Sequence, residues 1–174
     1  EPDRRGRVVS DTRPDESILE AERDIQAALG DRPLDFRSLQ AISNIYRAAA
    51  AVRRHAERTV LMEHNLSWGG FTALWVLWVW DEMETAKLAA ECGLSKGTLT
   101  GLLSTLEKQD LVRRERVEYD RRRVIVSLTD VGLAMIEDGF PRFNQFETEM
   151  AGGLADTEKD ELARLLRQVI NNAD

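Results

Sequence analysis

Apolar positions along this chain recur mostly at intervals of three and four, with one short exception near residue 124 where they alternate. The first spacing lines one face of a helix and the second lines one face of a strand. Ile18, Ala21, Ile25, Ala28 and Leu29 mark a short helix that Asp15 can cap and that Gly30 and Pro33 stop. A longer stripe of Phe36, Leu39, Ile42, Ile45, Tyr46, Ala49, Val52, Ala56 and Val60 predicts one helix from about Leu34 to Glu63. That is far longer than the ~11 to 12 residues of an average globular helix, so a second subunit is expected to lie against it. In LSWGGFTALWVLWVWDE, Ser67 can cap a helix with Phe71, Leu74, Trp75 and Trp78 on one side and Ala73, Leu77 and Trp80 on the other. A helix apolar nearly all round belongs in a core.

Residues 85 to 94 make a short helix with Leu88 and Ala89 inward, ended by Gly93 in the left-handed conformation. Ser95 then caps a helix over 96 to 109, whose Leu99, Leu102, Leu103 and Leu106 fix its buried stripe. Val124, Val126 and Leu128 alternate with Arg123, Ile125 and Ser127, a strand pattern that pairs with 111 to 117 as a hairpin. Leu133, Ile136, Phe140, Phe143 and Phe146 carry a further helix to about Met150, kinked or unwound near Pro141. A last helix, capped near Asp156 or Thr157, presents Leu162, Leu165, Leu166, Val169 and Ile170. The fold class is mainly α with a small β-hairpin wing: two short helices around a tight glycine turn, then a basic hairpin, form a winged helix-turn-helix.

Charge sharpens this outline. The chain carries a formal net charge of -7. Yet from Ser95 to Val126 eight Lys and Arg stand against five acids, a local +3 that leaves -10 for the rest. Such a split directs one segment toward an anion. One cysteine, Cys92, excludes an internal disulfide framework. The longest apolar run, Phe71 to Trp80, is about half the ~20 residues a membrane-spanning helix needs, and EPDRRGRVVSDTRPDES has early charges but not the apolar core of a secretory signal, so export is not expected. A cytoplasmic protein with no membrane partner is expected.

With the leucine stripe turned inward, Gly97, Thr100, Gly101, Ser104 and Lys108 face outward, with Thr98 and Thr105 at the margins. Two glycines on one exposed helix cost roughly 1 kcal/mol each relative to alanine, which close approach to a surface would offset. The hydroxyls can bond phosphates or base edges, and Glu107 flanks the buried stripe instead. Arg121, Arg122 and Arg123 are expected at the hairpin tip, where a guanidinium can reach a narrow minor groove. Asp120 is expected to accept from turn amides and to hold one of these arginines. For Arg113, Arg114 and Arg116, an ordinary solvated hairpin with cross-strand ion pairs to Glu115 and Glu118 stands as the alternative.

Two stretches, LAAECGLSKGTLTGLLSTLEKQDLVRRE and DRRRVIVSLTDVG, resemble the MarR (multiple antibiotic resistance regulator) family of bacterial transcription factors, whose wing reads Asp-x-Arg, alternating apolars, Leu-Thr and Gly. The resemblance spans about 34 to 172. It implies a homodimeric, sequence-specific regulator of transcription, expected to repress, on a pseudo-palindrome of double-stranded DNA with half-sites ~34 Å apart. By position, Asp120 and Arg122 would be the paired wing residues. Residues 95 to 105, opening on Ser95 and Lys96, would read the groove. The expected organisation is an arm with a short extra helix over 1–33, a dimerisation platform from 34–66 and 130–174, and a DNA-binding lobe over 67–129.

Glycine at 97 and 101 departs from the bulkier residues common in the family. Cys92 lies between the two short helices, away from the position used by oxidant-sensing members, and reads as a small apolar filler. Thr72, where an Asp would be expected, disfavours urate. Members commonly release DNA when a small aromatic acid enters a cleft between platform and lobe. Here Tyr46, Arg53, His64, Phe71, Trp75 and Trp78 would line it, suiting an aromatic carboxylate, although tryptophans at helical spacing also serve as plain core.

Catalysis has little support. His55 and His64 are nine apart on one expected helix, no Ser or Cys pairs with either in sequence, and no spacing forms a known metal site. No cofactor is expected. The competing function is a winged domain used for protein contact without DNA.

Overall fold

Ser67 and Ser95 each begin a helix. In the computed structural model, which describes residues 14–30 and 32–173, Ser67 Oγ accepts from the Gly70 amide at 3.1 Å and Ser95 Oγ accepts from the Thr98 amide at 3.1 Å. Each bond satisfies one of the amides that a helix start leaves open. The order is α1 (Pro14–Leu29), α2 (Phe36–Arg58), a 3-10 turn (Met62–His64), α3 (Trp68–Trp80), β1 (Met83–Glu84), α4 (Thr85–Glu91), α5 (Lys96–Lys108), β2 (Val112–Val117), β3 (Asp120–Leu128), α6 (Asp130–Met150) and α7 (Asp156–Asn171). The arm before Pro14 lies outside the described residues, as do the side chains of 14–19, including the Asp15 cap and Ile18, and those of Arg121 and Arg122.

The chain divides into two compact units, Glu1–Ala50 and Ala51–Asp174, with the boundary inside α2. In the first, Asn44 Nδ2 donates to Glu22 Oε1 at 2.6 Å, joining α2 to α1. Asp35 stands just before α2 and accepts from the Ser38 hydroxyl at 2.6 Å and the Ser38 amide at 3.1 Å. Those two bonds hold its carboxyl below the usual carboxylate range.

The second unit is organised by one apolar cluster. Phe71, Ala73, Leu74, Val76 and Leu77 of α3 meet Leu88 and Ala89 of α4, Leu99, Leu103 and Leu106 of α5, and Ile136, Phe143 and Phe146 of α6. Met83, Val112 and Val126 bring the sheet to the same cluster. Each fully buried Leu or Phe contributes about 1.5–3 kcal/mol, so the orientation of α5 is set from behind by its leucines. The sheet is antiparallel with order β1-β3-β2, Met83 opposite Val126 and Arg114 opposite Val126 on its other side.

Several expectations are corrected. The long helix ends at Arg58, because the chain turns back to bury Leu61 and Leu66. The Leu61 amide bonds Ala56 O at 3.0 Å, the Leu66 amide bonds Leu61 O at 3.1 Å, and Asn65 takes φ 52° to close the turn. His64 is therefore on the 3-10 turn and His55 on α2, not on one helix. The hairpin gains a third strand, β1. The buried α3 surfaces at its end, where Trp80 is 51% exposed. Helix α6 is not unwound at Pro141 but continues through it as helix, anchored by buried Ile136 on one side and Phe143 and Phe146 on the other. Ala155 precedes α7 in place of Asp156 or Thr157, and Glu158 Oε2 accepts from its amide at 2.8 Å. No helix among the described residues is long and apolar enough to cross a membrane.

Candidate nucleic-acid interface

Gly93 links α4 to α5 at φ 62°, a conformation that costs a side-chain-bearing residue energy. Its amide bonds Ala90 O at 3.0 Å and the Leu94 amide bonds Ala89 O at 2.8 Å, closing the turn of the helix-turn-helix. With Leu99, Leu103 and Leu106 buried, Ser95, Lys96, Gly97, Thr98, Thr100, Gly101, Thr105 and Lys108 are exposed together. Ser104 is not fully outward as expected; it is half-buried. The hydroxyls turn back on the helix: Thr100 Oγ1 donates to Lys96 O at 2.8 Å, Ser104 Oγ to Thr100 O at 3.0 Å and Thr105 Oγ1 to Gly101 O at 3.3 Å. Thr98 Oγ1 and Ser95 Oγ share a hydrogen bond of 2.8 Å. What remains is a smooth face of small groups whose oxygens can still accept.

The two glycines on this face are not required by packing. A Cβ at Gly101 would meet nothing within 4 Å, and one at Gly97 only Ser95 Oγ at 3.9 Å. The outer face of α5 is therefore low at these two positions without any internal contact that requires it.

The wing differs in detail from expectation. Val117 pairs with Asp120 after an irregularity at Arg116 and Val117, so the tip is Glu118 and Tyr119, the latter 86% exposed. Asp120, Arg121, Arg122 and Arg123 lie on β3. Arg123 is no tip residue: its Nε donates to Glu84 Oε1 at 2.9 Å and its Nη2 to the same oxygen. Glu84, through that hydrogen bond and its charge, raises the already high pKa of Arg123, and Asp120 adds to the negative potential there. Arg114 Nη2 donates to Glu107 Oε2 and, at 3.4 Å, to Ser104 Oγ. That bond holds the Glu107 carboxyl below the usual range. Arg113 Nε bonds Ser127 Oγ at 3.0 Å and lies 3.3 Å from Glu115. Arg113 and Arg114 are thus in ion pairs, but not cross-strand ones: Glu115 is on the same strand as Arg113, and Glu107 of α5 is the partner of Arg114. Sequence reasoning missed the roles of Glu84 and Glu107, the first 39 positions from its partner and invisible without β1.

The six residues expected to line an aromatic cleft divide between the two units. Tyr46 is in the first unit and 71% exposed. Arg53 pairs with Glu57 at 3.5 Å. Phe71 stacks on Phe143 at 4.2 Å between centroids, Trp78 tilts against Phe140 at 5.2 Å, and Trp75 meets Trp80 edge-on at 5.9 Å. His64 and Phe71 share one small void of about 10 Å³, where His64 Nε2 is buried without a hydrogen-bond partner. Trp68, Trp75 and Trp78 are partly buried against the apolar cluster, and Trp80 is exposed. The Cys92 thiol is pushed up to about 11, by burial first and then by the charge of Glu91, which favours the protonated thiol over the thiolate near neutral pH. Among the described residues no group of three or more His, Cys, Asp or Glu is placed to hold a metal ion.

The sequence profile of the MarR family matches residues 66–124. The chain is 39% identical over 160 residues to YwaE of Bacillus subtilis, an uncharacterised HTH-type transcriptional regulator, covering 90% of this chain and 94% of YwaE. It is 33% identical over 133 residues to MgrA, an HTH-type transcriptional regulator of Staphylococcus aureus, covering 75% of this chain and 88% of MgrA. A structure of a MarR mutant from E. coli complexed with operator DNA superposes with a TM-score of 0.67 at 23% identity, over 73% of this chain and 91% of that one.

Proposed function

The chain belongs to the MarR family of transcriptional regulators, which are not enzymes, and from that premise we propose that it binds double-stranded DNA sequence-specifically, as a homodimer on a pseudo-palindromic operator, and represses transcription. The observation that carries this reading is the exposed face of α5, where glycines at 97 and 101 leave space that no neighbour fills. The major groove admits an α-helix, and small residues on its outer face let the helix backbone come close to the base edges. Repression is the simpler sign because operator occupancy alone obstructs transcription. A DNA target places the protein in the cytoplasm.

The division into an arm at 1–33, a platform from 34–66 and 130–174, and a lobe at 67–129 belongs to this proposal. A second copy is supported by α7, none of whose residues is buried although Leu162, Leu165 and Ile170 are 48%, 44% and 58% exposed. Apolar helix faces of that kind call for a covering partner. Ser95, Lys96, Gly97, Thr98, Thr100, Gly101, Ser104, Thr105 and Lys108 are assigned to the groove, with Asp120, Arg121 and Arg122 in the wing. Release of DNA by a small aromatic carboxylate belongs to the same reading, although the void beside His64 and Phe71, about 10 Å³, holds no ring as it stands.

Salt separates DNA binding from a protein-contact role, because each neutralised phosphate contributes about 0.9 to the slope of log affinity against log salt. Arg122→Ala is expected to remove most affinity for a duplex selected from random DNA and to lower that slope by about 1. Unchanged slope and affinity would take the wing out of the interface.

A further inference from the structure

The third strand of the sheet is only two residues long. Strand β1 pairs Met83 with Val126 and Glu84 with Ile125, whereas β2 and β3 continue outward to the Val117–Asp120 pair. From residue 124 to the tip, the wing is therefore a two-stranded ribbon, the most compliant form of sheet and the one with the largest twist. Its aim relative to α5 depends on where it is last held.

That last tie is a side-chain pair. Glu84 sits opposite Ile125, and Arg123 is two residues farther toward the tip, so the Arg123–Glu84 bonds reach diagonally outward from the end of β1. Glu84 also leads directly into α4. The pair thus joins the ribbon to the first helix of the helix-turn-helix. Glu84, Lys96, Thr100, Arg114 and Arg123 line one cleft of about 350 Å³ between the start of α5 and the sheet, and Arg114 also pairs with Glu107 of α5.

We infer that Arg123 and Glu84 are positioning residues for DNA binding, which fix the direction of the wing relative to α5, and that Arg123 does not itself neutralise a phosphate. A guanidinium that left Glu84 for a phosphate would leave a carboxylate unpaired beside the polyanion, so the pair is retained on DNA. This separates Arg123 from Arg121 and Arg122 and rests on the DNA-binding function proposed above.

The test uses the full chain and the duplex that the wild-type protein enriches from a random-sequence pool. Affinity is measured across a salt series for Arg123→Gln, Glu84→Gln and the double variant, with unfolding midpoints alongside. Arg123→Gln and Glu84→Gln are each expected to weaken binding about fivefold, the scale of a partly exposed ion pair. The double variant should be no weaker than the worse single, and Arg123→Gln should keep the wild-type salt slope.

A slope lower by about 0.9 in Arg123→Gln would make Arg123 a phosphate contact and overturn the inference. So would a Glu84→Gln protein that binds as tightly as wild type or more tightly, fully additive losses in the double variant, or variants whose unfolding midpoint falls while affinity stays. If either single variant fails to fold, Arg123→Lys replaces it, keeping the charge but not the fork. Weaker binding at an unchanged slope supports the inference, and unchanged binding overturns it. A wild-type chain that enriches no duplex fails the DNA-binding function itself, and the inference with it.

Discussion

Gly101→Glu leaves the chain folded and abolishes its binding to duplex DNA. The fold tolerates a side chain there because a Cβ meets no atom within 4 Å, and Leu99, Leu103 and Leu106 on the opposite face keep α5 in place. Replacing an exposed helical glycine even gains intrinsic helix propensity, about 1 kcal/mol for alanine. On DNA the same side chain stands between the helix and the groove floor and brings a carboxylate against phosphates. Like-charge juxtaposition costs several kcal/mol, or at least about a hundredfold in affinity at 1.4 kcal/mol per tenfold. Thermal unfolding and fluorescence anisotropy on one preparation check both halves. Gly101→Ala should unfold at a higher temperature and lose less binding. A Gly101→Glu protein that bound duplex as wild type does would remove the outer face of α5 from the interface.

Gly132→Ala has the opposite character, since its damage is internal. The added Cβ would lie 1.9 Å from Leu111 O and 2.8 Å from Leu111 C, both backbone atoms that cannot rotate aside. Leu111 is buried just before β2, and its carbonyl accepts from the Thr129 amide at 3.1 Å. The Thr129 hydroxyl donates to Asp110 O and accepts from the Gly132 amide at 3.0 Å. The start of α6 is therefore latched to the base of the wing, and relief of the overlap must break that latch. We expect a loss of about 3 kcal/mol or more in unfolding free energy, with DNA affinity falling along with the folded fraction. A denaturant midpoint equivalent to a loss under about 0.5 kcal/mol would show that the close approach is not needed.

The contrast between these glycines was half legible in the sequence. Gly97 and Gly101 could be placed on the outer face because four leucines on a 3.6-residue repeat fix the inner one. Gly132 could be placed in a helix but not against Leu111, a contact across 21 positions with no periodic signal. Helix starts at Ser67 and Ser95 were readable because capping is local chemistry. The end of α2 was not, since Arg58 to His64 contains neither Gly nor Pro and the turn is driven by burial of Leu61. Strand β1 is too short to show alternation. Without it Glu84 had no reason to meet Arg123, and all three consecutive arginines looked alike. The aromatic residues were legible as apolar and helical, but their pairings Phe71–Phe143 and Trp78–Phe140 depend on where α6 crosses α3.

On the proposed function, two copies of this chain present α5 and the wing to one duplex. The mass of the protein–DNA complex in solution at low ionic strength, formed on the duplex recovered by selection from random sequence, tests it most directly. Two chains per duplex on a gapped inverted repeat is the predicted result. A single chain per duplex, or a protein whose mass no duplex changes, contradicts it.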